Sequence, residues 1–305
     1  MSARTKALAA AVLAATLVLA GCQAVKQGAA DIIASTGKVS QADAESLVKT
    51  VDAVRTSFAE ITEEEEYYIG RATAALILSK YKAYPNAALS GYINTMGTAI
   101  AYSSDRPETY GGYHFAVLDT GEVNAMAAPG GFIFVTKGLV ERCPDEETLA
   151  AILAHEIGHV AERHGLQSIK KSRLIDAFKL IGGEASRQFD SETLAKVTGV
   201  FEGVLGDVVE TLVERGYDRK FEYEADKLAL SFAVRTGYSP DGLSEFLAGM
   251  EDNKPSGPAA GWFKTHPSAA DRLARVKSGI GALGEVPAKD AARTARFSAA
   301  VKVLR

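Results

Sequence analysis

The sequence predicts an α+β chain that is mainly helical, with one small antiparallel sheet beside a central helix. Three observations carry this. Helical stripes at Leu47–Ile61 and Leu149–Val160, with helix start and stop signals elsewhere, account for most of the chain. Only residues 113–136 change period, into three short strand-like runs separated by Asp119-Thr-Gly121 and Pro129-Gly130. Hydrophobic residues make up 47% of the chain, enough to bury a substantial core in one or two domains. The formal net charge of -4 provides no basic footprint, which argues against nucleic acid as a partner.

At the N-terminus Arg4 and Lys6 precede an uncharged, almost wholly apolar run from Ala7 to Ala20. As a helix this run spans about 21 Å, too short for a typical bilayer core but right for a signal-peptide h-region. It closes on Leu19-Ala20-Gly21-Cys22, which resembles the lipobox of bacterial lipoproteins. That resemblance implies that residues 1–21 are a signal peptide and that the Cys22 thiol carries lipid; an ordinary signal peptide or an uncut anchor is the alternative. Gln23, rather than Asp, follows the cysteine, which by resemblance to Gram-negative lipoproteins implies the outer membrane. Cys143 is then left unpaired, and the two cysteines exclude a disulfide-rich scaffold. No other apolar run approaches eighteen residues, so the mature chain is expected to be soluble apart from its lipid.

Residues 22–61 read as a tether and an N-terminal helix, the latter with its stripe at Leu47, Val51, Val54, Phe58 and Ile61. Packing on the following domain is preferred for this stripe over binding a partner. The main domain is placed at residues 62–280 and a C-terminal tail at 281–305. Thr62 and Glu65 have capping-box spacing, and the Glu63–Glu66 run suits a helix start. That helix is expected to reach about Tyr81, with Pro85-Asn86 as the break before a second from Ala88 to about Ala101. Strands are expected at Tyr113–Leu118, Val123–Ala127 and Gly131–Thr136; His114 within the first is read as structural. Pro144-Asp145-Glu146-Glu147 opens a helix carrying Leu149, Ile152, Leu153, Ile157 and Val160. Residues 170–212 read as Gly-punctuated helical insertions able to cover a site. Further helices are expected at Asp218–Val234, Asp241–Met250 and Ser268–Ile280, and the tail after Gly281 gives little signal. No internal repeat is present.

On the helix opened by Asp145, His155 and His159 are four residues apart and share a face about 6 Å apart along the axis. With Glu156 they form H-E-x-x-H, in which two imidazoles hold a divalent ion and the carboxylate serves as general base. The plainer alternative is two packed histidines. A third protein ligand is needed. Glu162 and Gly165 stand where a three-histidine spacing would require glycine and histidine, so that class is excluded. His164 misses by one residue and is read as a packed or surface histidine. Glu222, Glu224 and Asp226 are the best acidic cluster: Glu222 and Asp226 share a helix face, with Glu224 about 200° round. One of the cluster can bind metal while another orients a ligating histidine.

H-E-I-G-H at 155–159 followed by E-Y-E-A-D at 222–226 resembles the HtpX-like and CAAX-prenyl-protease-like zinc metallopeptidases, a gluzincin family. Asn124-Ala-Met-Ala-Ala-Pro-Gly-Gly-Phe-Ile-Phe-Val-Thr-Lys-Gly138 resembles the segment before that family's metal helix, and Thr265-His266-Pro267 with Arg272 resembles its late motif. The likeness covers roughly residues 62–280 and is nearest to the periplasmic lipoprotein and mitochondrial inner-membrane branches. Met126 departs from the usual bulky residue. The resemblance implies a zincin-like fold, with the small sheet beside the H-E-x-x-H helix. It implies one zinc ion per chain on His155, His159 and Glu222, Asp226 supporting a ligand, and Glu156 as base. It also implies His266 and Arg272 near the site, His266 either steadying an oxyanion or occupying the open metal position at rest. An extended peptide is expected along an edge strand at Gly130, Gly131, Phe132, Ile133 and Phe134. The resulting expectation is a zinc-dependent endopeptidase of the bacterial cell envelope, lipid-anchored in the periplasm, that cleaves misfolded or misassembled envelope proteins and has envelope assembly factors as candidate partners. The rivals are a metal-binding chaperone or assembly factor with vestigial proteolysis, and a latent protease kept shut by residues 170–215 or by His266. Glu156 favours the enzyme, since binding alone needs no base.

Overall fold

A computed structural model describes residues 61–169, 202–252, 261–266 and 269–304. The signal peptide, Cys22, the tether, the helix expected from residue 41, most of the 170–212 segment and the Pro255–Pro258 loop lie outside the described residues. None of the described helices is long and apolar enough to cross a membrane.

Helix α1 (Glu63–Lys80) begins with the capping box: Glu65 N donates to Thr62 Oγ1, and Thr62 N donates to Glu65 Oε2. Its fourth glutamate does more than favour the helix dipole. Glu66 is buried, pairs with Arg106 and Arg163, and accepts from Gly130 N at 3.1 Å. Asn86 caps α2 (Ala87–Tyr102). The sheet follows, with β1 (His114–Leu118), β2 (Ala125–Ala128) and β3 (Phe132–Thr136) in the order β1-β3-β2.

That sheet is mixed, a departure from the antiparallel sheet expected. β2 and β3 form a hairpin whose turn needs Gly130 and Gly131, at φ 71° and 97°. β1 lies on the other side of β3 and runs parallel to it. Residues 119–124 carry the chain over the end of β3, where Gly138 N donates to Thr120 O. Local alternation cannot distinguish this crossover from a meander. A second correction follows. The expected edge strand is central, so Ile133 and Phe134 are paired on both sides, while Gly130 and Gly131 form the turn and Phe132 begins β3. The outer edges belong to β1, where Ala83 forms an antiparallel bridge with Leu118, and to β2.

A short helix not anticipated, α3 (Lys137–Arg142), is capped by the Thr136 hydroxyl and leads to the buried, free Cys143. Helix α4 (Glu146–Ala161) is capped by Asp145 and is the pillar of the fold, with every residue from Glu146 to Val160 buried. After the short α5 (His164–Gln167), residues 202–210 are helical and run into a wide π turn at Thr211–Arg215. Helix α6 (Arg219–Thr236) stops at left-handed Gly237, and α7 (Asp241–Asp252), α8 (Gly261–Thr265) and α9 (Ala269–Ala282) follow. Helix α4 packs on α6, α2, α7 and β2. At Gly158 the α4–α6 approach is close: a Cβ there would lie 3.2 Å from Ala225 Cα. The stretch after Gly281 is more than a tail. It forms α10 (Ala291–Val301), which packs on α4 and buries Phe297 and Val301.

Candidate metal centre

The C-terminal half of α4 brings His155 and His159 onto one face, with their Nε2 atoms 3.1 Å apart. α6 lies across that face, and its first turn places Glu222 Oε2 3.7 Å from His155 Nε2 and Oε1 3.5 Å from His159 Nε2. His266, at the end of α8, completes the group. One donor atom from each of His155, His159, Glu222 and His266 lies within 4.8 Å of the others, and all four side chains are buried. Glu222 Oε1 and His266 Nε2 lack a hydrogen-bond partner, and Glu222 Oε2 is met only by Arg272. Buried polar atoms are nearly always paired, so this convergence of under-partnered donor atoms makes the group a candidate metal site. Burial depresses the affinity of His155 and His159 for protons, which keeps them in the neutral form that metal ligation requires.

Each donor is held from behind. His155 Nδ1 donates to Asp226 Oδ1 at 3.0 Å. Arg272, fully buried, donates to both Asp226 oxygens at 2.8 and 2.7 Å, and its Nη1 lies 2.7 Å from Glu222 Oε2. Burial alone would raise the Asp226 pKa, but Arg272 and the His155 hydrogen bond hold it well below the usual range. Burial pushes Glu222 the other way, well above it. His266 stacks on Trp262, with ring centroids 3.9 Å apart at 12°. The Thr265 hydroxyl donates to Asn124 Oδ1, so its oxygen can accept from His266 Nδ1, leaving the Nε2 lone pair facing the cluster.

Glu156 sits beside the cluster, one position round the helix from His155. It is fully buried, neither oxygen has a hydrogen-bond partner, and burial lifts its pKa to about 7. His266 Nε2 lies 3.4 Å from its Oε1. A carboxylate so placed can take and return a proton near neutral pH.

Two residues given no role in sequence, Tyr217 and His164, belong to this neighbourhood, and Glu224 of the acidic cluster joins them. Tyr217 stacks on His159 at 4.2 Å and 15°, and its hydroxyl donates to Ala127 O on the outer edge of β2. His164 is buried and contacts His159 Nδ1 at 2.9 Å, and Glu224 lies 3.3 Å beyond it. A continuous helix would have pointed His164 elsewhere. The left-handed Arg163, at φ 55°, breaks the helix and swings it back. A non-glycine residue there gives no sequence signal. His114 is exposed, outside the group, and lies flat on Phe132.

Residues 87–280 match the model of peptidase family M48. The chain is 25% identical over 195 residues to the beta-barrel assembly-enhancing protease of Escherichia coli (strain K12), which covers 62% of this chain and 38% of that protein. It is 30% identical over 170 residues to metalloprotease YcaL of the same strain, covering 55% and 62%. Mitochondrial metalloendopeptidase OMA1 of Schizosaccharomyces pombe (strain 972 / ATCC 24843) is 27% identical over 159 residues, covering 50% and 42%. In each case the match spans less than two thirds of the relative's length.

Proposed function

The chain belongs to peptidase family M48, and from that premise we propose that it is a zinc-dependent endopeptidase of the bacterial cell envelope, in the periplasmic lipoprotein branch. The observation that carries the reading is the convergence of His155, His159, Glu222 and His266 beside an unpartnered Glu156. Two imidazoles and a carboxylate fit zinc, one ion per chain, with His155, His159 and Glu222 as the protein ligands. When bound, zinc supplies Lewis acidity that polarises the scissile carbonyl and acidifies water.

The chain's own residues do the rest. Glu156 takes a proton from the attacking water and returns it to the leaving amine, a transfer suited to its raised pKa. Asp226 and Arg272 hold His155 and Glu222 in place and keep the buried charges balanced. The substrate peptide lies extended along the outer edge of β2, next to α4, displacing the Tyr217 hydroxyl from Ala127 O. Substrates are misfolded or misassembled envelope proteins, and assembly factors of the envelope are the partners. The protein is held by lipid on Cys22, at the periplasmic face of the outer membrane. The substrate and partner classes are drawn from the name of one relative, the beta-barrel assembly-enhancing protease.

One observation favours latency as a second reading. His266 Nε2 stands among the donors, where it would occupy the position that substrate needs. The deciding experiment is cleavage of an unfolded test protein, with zinc, by the purified chain lacking residues 1–21, beside its Glu156→Gln variant. Cleavage lost in the variant, with zinc content unchanged, is the expected result. Equal cleavage by both would sink the assignment of Glu156. Cleavage by neither, with one zinc bound, sends the test to His266→Ala: released activity means latency, and continued silence means a metal-binding chaperone or assembly factor.

A further inference from the structure

The proposed reaction leaves His164 without a task, although it is buried against a metal-donor histidine. The bonding pattern assigns it one. The Nε2 atoms of His155 and His159 face each other and Glu222, so each ring presents Nδ1 to the protein behind it. A neutral imidazole that offers the Nε2 lone pair carries its proton on Nδ1. His155 donates that proton to Asp226. His159 meets another imidazole, His164 Nδ1, at 2.9 Å. Of two facing ring nitrogens only one can donate, so His164 Nδ1 must accept, and the proton of His164 sits on Nε2. That atom lies 3.3 Å from Glu224 Oε2, a carboxylate half exposed at the surface.

We infer that His164, oriented by Glu224, is the positioning residue for His159: it sets the tautomer and the ring angle that aim Nε2 at the metal. The inference rests on the metal reading above and goes beyond it. The surrounding packing supports it. Phe221 packs on the His164 ring at 4.3 Å, Tyr217 stacks on His159 at 4.2 Å, and the left-handed turn at Arg163 holds the pair together. Two unlike supports result. His155 is backed by a buried carboxylate held by Arg272, whereas His159 is backed by a neutral ring whose far side reaches a surface carboxylate. The metal centre is therefore linked to the surface through His159 alone of these two ligands.

The test is zinc affinity, by competition with a chromophoric chelator, on the chain lacking residues 1–21 and on three variants. His164→Leu keeps bulk and removes the acceptor; zinc should bind roughly 10- to 100-fold more weakly. His164→Gln retains an acceptor oxygen and should stay within a few-fold of the unsubstituted chain. Glu224→Ala, at a half-exposed position, should weaken binding by a few-fold. Equal affinity for the Leu and Gln variants, with the unsubstituted chain binding zinc, overturns this inference alone. An unsubstituted chain that binds no zinc overturns the metal reading and this inference with it. Nitrogen-15 spectra of the zinc-loaded, unsubstituted chain decide the matter even if His164→Leu does not fold. They should show His164 protonated on Nε2 and bare on Nδ1. Nδ1 protonation overturns the inference, and packing alone would not select between the two tautomers.

Discussion

The two ends of α4 both bury acidic side chains and treat them in opposite ways. At the N-terminal end every carboxylate is satisfied. Asp145 accepts from Thr148 N and Oγ1 and from Lys289. Glu146 accepts from Tyr92, Tyr238 and Arg296, and Glu147 from Ser239 N and Arg293. At the C-terminal end Glu156 has no hydrogen-bond partner, and beside it Glu222 on α6 is met only by the Arg272 guanidinium. The protonation behaviour follows. Burial would raise Glu146, but its arginine and tyrosine partners hold it below the ordinary value, whereas at Glu156 burial outweighs the nearby His155 and Arg272 and lifts it to about 7. A buried charge with a full set of partners is part of the scaffold. One left without them is held ready for something the fold itself does not contain.

The comparison breaks if the two ends respond alike to substitution. The largest difference is expected from Glu156→Gln. It should lower cleavage about 10²- to 10⁴-fold while leaving the urea midpoint of the zinc-free chain unchanged or higher, because a neutral amide is cheaper to bury. A fall in midpoint would mean that Glu156 is scaffold after all. Next comes Arg272→Met, which strands the Asp226 and Glu222 carboxylates and should cost about 3–5 kcal/mol of stability by denaturant unfolding. Glu146→Gln should cost about 2 kcal/mol through weakened charge-assisted hydrogen bonds, with zinc affinity unaltered by chelator competition.

Acid titration sharpens the same contrast. Glu146 and Asp145 have lowered pKa values in the folded state. Their stabilisation is therefore complete above the unfolded carboxylate range and is lost as pH falls through it towards the folded values. The gap between the unsubstituted chain and Glu146→Gln should be full at pH 7 and should narrow progressively below about pH 4. A gap that persists to pH 2 would show that the contribution of Glu146 is packing. The smallest effect is expected from Lys289→Ala, whose part-exposed bridge to Asp145 and Glu245 should be worth about 0.2–1 kcal/mol, and less in 1 M salt.

Helix placement was largely legible because its signals are local. Thr62 caps where its spacing to Glu65 predicts, the acidic run from Asp145 opens α4, and Gly237 stops α6, while Asn86, read as a break, proves to be the cap of α2. The spacing of His155, Glu156 and His159 fixes their common face in any helix. What was lost has a shared cause. The sheet order depends on a connection passing over β3, α10 depends on the α4 surface that receives Phe297 and Val301, and His164 depends on a single backbone torsion at Arg163. None of these leaves a periodic trace.

The sequence by itself determined that a dihistidine helix with an adjacent carboxylate exists and that an acidic triplet far along the chain is available to it. Those facts are set by side-chain identity and the 3.6-residue turn. Only the tertiary structure decided which members of the triplet face which histidine. Glu222 stands before the cluster, Asp226 behind His155, and Glu224 behind His164. The reason is steric: Gly158 lets α6 settle close against α4, and that contact sets the rotation of α6 about its own axis, a quantity no local pattern encodes.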